Sequence, residues 1–215
     1  HGDENRIAGQ RLNLSYSMIW DKRFSWGYFM PKANLQHIYY SLKTSSLNDE
    51  NPSLSIPTIS IDSGLFFERD LAGHEDTKQT LEPRIYYVNT SFRDQISLPD
   101  FDTREFTPSY DLLFRDNRFS GGDRIADANR VTLSLTSRFI DNKTGQEKFK
   151  ASIAQALYLK DRKVSLGAPQ EFHELQKSKS PMALNLSAHW TQNWRLASEI
   201  IYDTQRDILE KSNIG

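Results

Sequence analysis

The chain has 215 residues with 27 basic and 28 acidic side chains, and its net charge of -1 at pH 7 gives it no overall attraction for nucleic acid. Hydrophobic residues make up 37% of the chain, and no apolar run approaches the roughly 20 residues of a membrane-spanning helix, which excludes a helical membrane protein but not a β-barrel, whose apolar residues alternate with polar ones. Cysteine is absent, which excludes a disulfide framework and a zinc–thiolate site.

The main signal in the first half of the chain is a period of two between apolar and polar residues. This period predicts strands with two unlike faces. In the first strand, about 11–20, Leu12 and Leu14 lie on one face and Asn13 lies on the other. Three more strands follow in this half, at about 26–42, 55–69 and 79–92.

The alternation resumes after a long polar segment. It predicts four more strands, at about 130–139, 147–160, 182–191 and 194–206. The strand 147–160 is less regular because Gln155 falls among its apolar positions, and a β-bulge near Gln155 would restore the phase. Residues 197–211 also fit a helical stripe, but the alternation of Leu196 and Ile200 with Glu199 favours a strand.

The lengths of the strands and of their connections favour a membrane barrel. Most of the about eight predicted strands exceed the five or six residues usual in globular proteins, and about nine to eleven suit a tilted membrane crossing. The connections near residues 22, 144 and 192 are short, those near 48, 110 and 170 are long, and 70–78 is intermediate. Outer-membrane barrels have this parity, with short periplasmic turns and long outer loops.

Large aromatic residues support the same interpretation because they flank the predicted short turns: Trp20, Trp26, Tyr28, Trp190 and Trp194. Trp and Tyr form girdles where the ends of membrane strands meet water. The charged residues of the opposite face would then surround a wet lumen. A soluble β-sandwich, which buries the aromatic residues in one core and leaves the charges in water, stays open on the pattern alone.

The segment of about 93–129 is too long to be a mere connector. Five aromatic residues anchor it and argue against disorder: Phe101, Phe106, Tyr110, Phe114 and Phe119. Gly121 and Gly122 allow a tight reversal. If the segment folds inward, its charged side chains can form one buried ionic cluster; the members would be Arg115, Asp116, Arg118, Asp123 and Arg124. The alternative is a solvated turn with scattered charges.

The amino-acid sequence of this segment and of its neighbours is specific enough to suggest a family. Residues 80–102 read TLEPRIYYVNTSFRDQISLPDFD, and residues 113–141 read LFRDNRFSGGDRIADANRVTLSLTSRFID. These strings closely resemble the C-terminal barrel of the outer-membrane lipopolysaccharide-assembly family (LptD, or OstA). The strings WGYFMPKANLQHIYYSL, PTISIDSGLFFERD and KASIAQALYLKDRKVSL are similar to the same family. The resemblance covers about residues 10–166 well and the remainder loosely.

The resemblance implies an all-β fold, an antiparallel up-and-down transmembrane barrel in the bacterial outer membrane. This chain would supply about eight strands of a much larger barrel of about two dozen. The implied partners are lipopolysaccharide, a small lipoprotein that plugs the lumen, a periplasmic lipopolysaccharide bridge and outer-membrane lipid. A periplasmic jellyroll domain and the first and last barrel strands of such a protein have no counterpart here. We therefore expect the chain, 1–215, to be an internal fragment, in which a missing signal peptide carries no information.

Two sets of candidate residues follow from the resemblance and the polar face. The residues expected to line the lumen and the substrate path are Lys32, Glu82, Arg84, Arg138, Arg195 and Glu199. The residues expected in a luminal loop are Arg115, Asp116, Arg118, Gly121, Gly122, Asp123 and Arg124. The basic residues among them can bind phosphates through charge-assisted hydrogen bonds. The alternative is that the charged residues pair with one another and stabilise the barrel wall.

No catalytic constellation emerges from the sequence, because the histidines are scattered and have no H-E-x-x-H spacing. We therefore expect a protein that is not an enzyme, without catalytic residues, metal or cofactor. The expected function is lipopolysaccharide assembly and transport, in which the polar barrel lumen delivers the lipid to the outer leaflet. Two alternatives remain, a generic porin-like outer-membrane barrel and a soluble carbohydrate-binding β-sandwich.

Overall fold

The structure is a computed structural model. It describes residues 8–44, 51–71, 73–166, 175–191 and 194–215. These residues form an all-β fold of antiparallel strands. Within the described ranges, no helix is both long and apolar enough to cross a membrane.

The strands are long, and most of them belong to one sheet. In chain order they are β1 (Ala8–Ile19), β2 (Lys22–Phe24), β3 (Gly27–Thr44), β4 (Ser53–Leu65), β5 (Phe67–Leu71), β6 (His74–Thr90), β7 (Arg104–Glu105), β8 (Phe119–Ser120), β9 (Ala128–Asp141), β10 (Glu147–Tyr158), β11 (Met182–Thr191), β12 (Trp194–Asp203) and β13 (Ile208–Ile214). A short 3₁₀ turn, Asp111–Phe114, lies between β7 and β8.

The main sheet is an up-and-down meander in which each strand pairs with its neighbours along the chain. Its order is β1-β3-β4-β6-β9-β10-β11-β12-β13. Strand β2 continues the pairing of β1 with β3, and β5 continues the pairing of β4 with β6, so each pair acts as one interrupted strand. The sheet is open in this chain, which confirms an antiparallel segment and not a closed barrel. Strands β7 and β8 form a separate two-stranded sheet.

The C-terminal part differs from the prediction. The eighth predicted strand ends at Asp203 instead of about residue 206, and β13 is an additional strand. The Asp203 carboxylate accepts hydrogen bonds from the backbone N–H groups of Gln205 and Arg206, and Asp207 has a positive φ of 58°. Such a turn needs only a few polar residues. The apolar positions of β12 and β13 therefore follow each other so closely that the sequence resembles one continuous strand or a helix.

The connection predicted at intermediate length over 70–78 is in fact short. Strand β5 ends at Leu71 and β6 begins at His74, and Asp70 pairs with Lys78 across the two strands. The residues of this hairpin end are polar, so hydrogen-bonded pairing continues after the apolar alternation has stopped. This connection therefore joins the short connections at one end of the sheet, whereas the four-residue turn between β12 and β13 is a short connection at the opposite end and departs from the parity. Three other predicted connections, near residues 48, 170 and 192, lie wholly or partly outside the described residues, because residues 45–50, 167–174 and 192–193 are not described.

The β-bulge predicted near Gln155 does not change the phase of β10, because Gln155 pairs with Leu133 of β9 in unbroken register and the shift on that side lies between Glu147 and Phe149. On the other side, the register does shift by one residue near Gln155, because Ala154 pairs with Ala183 whereas Leu157 pairs with Lys179. Gln155 therefore stays on the apolar side of the sheet. Its side-chain amide donates a 2.9 Å hydrogen bond to the carbonyl of Ser180, which satisfies the polar group without a change of phase.

The two faces of the sheet are opposite in character to those of a water-soluble sheet. The outer face is apolar and exposed; its members include Leu12, Leu14, Tyr16, Met18, Phe29, Leu35, Ile59, Leu81, Ile85, Leu133, Leu135, Phe149, Ile153 and Leu196. The inner face is polar and largely buried; its members include Thr58, Ser60, Thr80, Thr90, Arg130, Thr132, Ser134, Thr136 and Ser152. Soluble sheets bury their apolar face, and an exposed apolar surface of this extent marks contact with a membrane or another protein.

The small buried core lies between the inner face and the chain that covers it. One cluster joins wall residues with two residues of the long segment; it contains Ile38, Tyr40, Leu42, Ile56, Leu98 and Ile125. A second cluster places Leu113 against small residues of three strands; these are Ala154, Ala156, Ala183 and Ile201. The apolar residues that are buried are thus mainly those that hold the long segment against the wall.

Exposed aromatic residues gather at the end of the sheet that has the short turns. Phe24 and Trp26 stack with ring centroids 4.8 Å apart, and Trp20 meets Phe29 edge to face at 6.5 Å. Trp194 is also exposed at this end, whereas the side chain of Trp190 lies outside the described part. The arrangement is typical of an interfacial girdle.

Candidate functional site

Residues 91–127, which connect β6 to β9, lie against the polar inner face; we call them the covering segment. Strands β7 and β8 and the 3₁₀ turn belong to it. Its contacts with the wall reach strands at both sides of the sheet, from β1 to β12. The segment lies on the polar face, which was one of the two arrangements that the sequence left open.

Asp123 is the most buried charged residue of the covering segment, with 0% exposure. Its carboxylate accepts hydrogen bonds from the Tyr40 hydroxyl at 2.8 Å and from the backbone N–H groups of Phe101 and Asp102 at 2.7 and 3.2 Å. The Arg11 guanidinium lies 2.8 Å from the same carboxylate. A buried carboxylate without such partners would be costly, so Asp123 ties the segment to β1 and β3.

Arg11 also holds Asp102, and this pair explains the two neighbouring glycines. Its two terminal nitrogens donate to the Asp102 carboxylate at 2.8 and 3.0 Å. Gly121 has a positive φ of 76°, and a Cβ there would lie 2.6 Å from the Asp102 carbonyl oxygen. A Cβ on Gly122 would lie 2.8 Å from the side-chain nitrogen of Asn13 and 3.1 Å from Cζ of Arg11. Gly121 therefore needs to be glycine, whereas a side chain at Gly122 would require the Asn13 and Arg11 side chains to move.

We expect the pairing of Arg11 with Asp102 to persist in mild acid and to fail only at strongly acidic pH. The hydrogen bond from Arg11 lowers the pKa of Asp102 to about 2, whereas an unfolded Asp titrates near about 3.9. The stabilisation is therefore fully present above about pH 4 and is lost as the pH falls through about 2. The backbone N–H of Gly122 donates to the Asp102 carboxylate at 3.2 Å. Amide hydrogen exchange of Gly122 in the full-length protein, corrected for the intrinsic rate at each pH, therefore measures this loss.

The matched variant for this prediction is Arg11→Gln. It removes the donor that lowers the pKa of Asp102, so protection of the Gly122 amide should be weaker and should be lost at a higher pH, near the ordinary pKa of Asp of about 3.9. Protection of the wild type that is already lost at pH 5 would contradict the assignment.

Asp116 ties the covering segment to β3 and β6. Its carboxylate lies 2.5 Å from Nζ of Lys32 and accepts a hydrogen bond from the Tyr86 hydroxyl. Burial opposes ionisation of Asp116, but the hydrogen bonds from Lys32 and Tyr86 outweigh it and lower the pKa of the carboxyl group. Lys32, a predicted lumen-lining residue, is therefore engaged with the segment.

Arg84, another predicted lumen residue, holds the 3₁₀ turn. Its guanidinium binds the Asp62 carboxylate through two nitrogens at 2.8 and 2.5 Å. On its other side, Cζ of Arg84 lies 3.8 Å from the centroid of the Phe114 ring. A planar guanidinium that is paired in its plane and stacked on its face is well fixed, so Arg84 connects β4, β6 and the segment.

The carbonyl groups of the 3₁₀ turn are held by β9, and its start is held by β12. Thr132 donates a 2.7 Å hydrogen bond to the Leu113 carbonyl, and Arg130 donates to the Arg115 carbonyl at 2.5 Å. The backbone N–H of Tyr110 donates to the Glu199 carboxylate at 3.0 Å. Glu199 also pairs with Lys211 of β13 at 2.8 Å. The short turn is thereby supported at both ends.

A second connection, the described residues 159–166 after β10, packs on the covering segment. The Asp127 carboxylate accepts hydrogen bonds from the backbone N–H groups of Lys163 and Val164 at 2.9 to 3.0 Å. Val164 is buried with Phe119 and Ala126 of the segment. Arg118 pairs with Glu105 at 3.2 Å and donates to the Val164 carbonyl.

The five charged residues that the sequence grouped into one ionic cluster are not brought together. Asp123 and Asp116 pair with the wall, and Arg118 pairs with Glu105. Arg124 donates to the carbonyls of residues 98 and 99 at 2.9 and 3.0 Å. Cζ of Arg115 lies 4.7 Å from the centroid of the Phe106 ring.

The remaining predicted lumen residues lie outside this network. Arg138 of β9 pairs with Glu82 at 2.9 Å and with Glu147 at 2.5 Å. Arg195 is exposed and pairs in register with His189 of β11. For Lys32, Glu82, Arg84, Arg138 and Glu199, the geometry therefore agrees with the alternative in which charges pair with one another.

Several residues of the site were not singled out from the sequence: Arg11, Asp62, Asp102, Asn117, Asp127 and Thr132. The alternation places Arg11, Asp62 and Thr132 on the polar face but does not distinguish them from neighbours. Asp102, Asn117 and Asp127 are short polar residues in an irregular segment, where such residues usually serve local turns. Their partners are distant in the chain, so a local pattern gives no signal for them.

Comparison with known proteins agrees with this architecture. The model of the family described as LptD: LPS transport system D matches residues 1–215. The chain is 37% identical to the LPS-assembly protein LptD of Chromohalobacter salexigens over 95% of this chain and 27% of the relative. It is 38% identical to that of Alcanivorax borkumensis over 98% of the chain and 28% of the relative.

A third relative, the LPS-assembly protein LptD of Alkalilimnicola ehrlichii, is 44% identical over 76% of the chain and 22% of the relative. The chain thus spans between 22% and 28% of the length of these curated relatives. A family match over the whole chain, together with an antiparallel sheet of this kind, leads to one conclusion: the chain belongs to the LptD family.

Proposed function

We propose that this chain forms part of the wall of a β-barrel in the bacterial outer membrane, and that the whole protein assembles lipopolysaccharide there. The family match and the relatives named LPS-assembly protein LptD support this proposal. The polar head of the lipid would travel through the lumen, and its acyl chains would leave by a lateral opening. The transfer makes and breaks no bonds, so it needs no catalytic residue.

One observation carries the proposal: the sheet exposes its apolar face and covers its polar face. An outward ring of residues such as Leu133 and Leu135 suits hydrocarbon. The inner face offers hydroxyl and charged groups instead, as Thr136 and Arg138 illustrate. A sugar–phosphate head cannot cross hydrocarbon without losing its water partners, so a wall with this polarity gives such a head a wet path.

The same observation argues against a soluble carbohydrate-binding sandwich. A sandwich packs a second sheet against its apolar face. In the described part of the chain, the side chains of Leu133, Leu135 and Ile153 remain exposed instead. A generic porin is disfavoured by the family match, which covers residues 1–215.

We propose two roles for the charged wall residues. Lys32, Arg84 and Glu199, which contact the covering segment, hold it inside the lumen. Arg138 and Arg195 line the open path of the polar head. Pairing of Arg138 with Glu82 weakens any single contact with a phosphate, and this suits a conduit from which the substrate must leave.

The partners of the whole protein remain those that the resemblance implies. We propose that the covering segment contacts a small lipoprotein that plugs the lumen. The periplasmic lipopolysaccharide bridge would act through a jellyroll domain of the whole protein.

Deleting residues 110–130 from the full-length protein tests the lumen assignment. These residues include the 3₁₀ turn, Asp116 and Asp123, so their removal takes away most of the cover of the inner face. We expect weaker co-purification with the plug lipoprotein and increased permeability of cells to detergent. Lys143→Ala, at the exposed short turn after β9, is the control.

If the deletion changes neither the co-purification with the plug lipoprotein nor the permeability of cells to detergent, the lumen assignment is overturned.

A direct test of transport is the amount of newly made lipopolysaccharide that reaches the cell surface in a Gram-negative host depleted of its own LptD. The full-length protein should restore it, and failure to do so would overturn the proposed function.

A further inference from the structure

Three of the described strands contain a proline within their span, although each of these strands pairs with a neighbour on both sides. The prolines are Pro31 of β3, Pro57 of β4 and Pro83 of β6. Proline has no backbone N–H to donate, so in sheets it is normally confined to edge strands, strand ends and bulges. Each of these prolines therefore removes one hydrogen bond from one of the two ladders of its strand.

Pro57 faces the ladder between β4 and β6. In an antiparallel strand, the N–H and the C=O of one residue point to the same neighbouring strand, and residues two apart point the same way. The N–H of Phe66, directly after β4, donates to the carbonyl of Trp26, directly before β3, at 2.8 Å. Even-numbered residues of β4 therefore face β3, and the odd-numbered Pro57 faces β6.

Pro83 faces the same ladder from the other strand. The carbonyl of Asp76 in β6 accepts a 2.9 Å hydrogen bond from the N–H of Asn142, directly after β9. Even-numbered residues of β6 therefore face β9, and the odd-numbered Pro83 faces β4. Pro31 faces a different ladder, because its carbonyl accepts a 3.0 Å hydrogen bond from the N–H of Trp20, directly after β1.

The two prolines bracket the pairing of β4 with β6, which we call the proline seam. In β4 the seam begins at Thr58, directly after Pro57, and in β6 its other end is Arg84, directly after Pro83. The flanking ladders, β3 with β4 and β6 with β9, continue past these prolines in unbroken register. The loss of backbone hydrogen bonds is therefore concentrated at the two ends of this one seam.

Side-chain pairs on the inner face bridge the proline seam near both of its ends. At one end, the buried hydroxyl groups of Thr58 and Thr90 lie 2.9 Å apart. At the other end, the Asp62 carboxylate accepts two hydrogen bonds from the Arg84 guanidinium, at 2.8 and 2.5 Å. A bidentate pair of this kind is among the stronger side-chain hydrogen bonds, so side chains hold the seam where its backbone ladder is interrupted.

The covering segment spans the proline seam from inside. Asp116 contacts Lys32 of β3 and Tyr86 of β6, the two strands that flank β4. The Phe114 ring lies on the guanidinium of Arg84. We propose that the proline seam is the line along which this wall yields, and that the covering segment controls it. The seated segment holds the seam closed, and its release lets β4 and β6 separate before the neighbouring ladders do.

A yielding seam goes beyond the proposed function, because it is a movement of the wall itself. Hydrogen exchange should then differ between alternate residues of β6. The amides of Ile85 and Tyr87 face β4 across the seam, whereas those of Tyr86 and Val88 face β9. In the full-length protein in detergent, the odd-numbered amides should exchange about tenfold faster, the effect of losing about one backbone hydrogen bond. Mass spectrometry with electron-transfer fragmentation reads the exchange residue by residue.

Two substitutions change the seam in opposite directions. Pro83→Val supplies the missing donor and should slow the odd-numbered amides of β6 about tenfold. Pro31→Val is its matched control, because the new N–H faces β1 and should leave these amides unchanged. Asp116→Ala removes the contact of the covering segment with β3 and β6 and should speed the odd-numbered amides about tenfold or more. Asp100→Ala, which removes a local hydrogen bond of the same segment, should leave them unchanged.

The even-numbered amides of β6 are the internal control for folding, because a misfolded variant would accelerate both sets. Equal exchange of the two sets in the wild type would overturn the weak seam. Equal effects of Pro83→Val and Pro31→Val would overturn the role of the prolines, and unchanged exchange in Asp116→Ala would overturn control by the covering segment. These measurements involve no lipopolysaccharide, so their failure is distinct from failure of the surface-delivery test.

Discussion

Replacing Asp123 by alanine is expected to release the covering segment from β1 and β3. The substitution leaves the buried Tyr40 hydroxyl and two backbone N–H groups without their acceptor, and it removes one of the two carboxylates that hold Arg11. Removing one partner of a buried, hydrogen-bonded charge pair costs about 3–5 kcal/mol. Amide exchange of residues 101–127 in the full-length protein should accelerate at least about a hundredfold.

The matched control is Asp100→Ala in the same segment. Its exposed carboxylate accepts a single local hydrogen bond, from the backbone N–H of Thr103 at 3.0 Å, so its loss should cost about 1 kcal/mol or less. If the two variants exchange at similar rates, Asp123 is not the anchor that the geometry indicates.

The second large effect is expected on the opposite side of the wall. Leu135 of β9 is 42% exposed and lies near the middle of the strand on the outer face. In a membrane, Leu135→Arg should destabilise the protein by about 2–4 kcal/mol, the cost of a cation at the bilayer midplane. In water, the same substitution of a partly exposed residue would usually change stability by about 0.5 kcal/mol or less. Urea unfolding of the full-length protein in lipid vesicles measures the difference.

Ile96→Arg provides the same chemical change away from the sheet. Ile96 is 91% exposed in the covering segment, so we expect almost no loss of stability there. A small effect at Leu135 as well would show that this face is in water, and the membrane proposal would fail.

The general architecture could be predicted because strand alternation is a local property. Leu12, Leu14 and Tyr16 lie on the outer face as the period of two requires. The aromatic residues of the covering segment predicted that it is ordered, and in the structure Phe114 contacts Arg84 and Phe119 is buried. Where apolar residues repeat with one period and charges share a face, the sequence carries enough information to place them.

The sequence analysis missed elements in which the backbone hydrogen bonds do not follow the pattern of apolar and polar residues. The start of β6 is polar, yet Lys78 pairs with Asp70 because the backbone ladder does not depend on apolar side chains. Strand β13 was hidden because the turn before it is only four residues long, from Thr204 to Asp207. Gln155 was misplaced because a side-chain amide can find a backbone acceptor on an otherwise apolar face.

The pairs of the site could not be predicted for a different reason. Arg11 and Asp102 are 91 residues apart, and Tyr40 and Asp123 are 83 residues apart. A single sequence gives the charge of each residue but not which of several opposite charges it meets after the chain reverses direction. The alternation places Lys32 and Arg84 on the polar face, but their contacts with the covering segment are visible only in the structure.

The span of the covering segment has a mechanical consequence. It is fixed to β1 at Asp102 and to β12 at Tyr110, which are separated by most of the width of the sheet. The stretch of chain from Asp102 to Tyr110 therefore ties two distant strands together across the inner face. A change in the distance between these strands would have to stretch or displace this short length of chain.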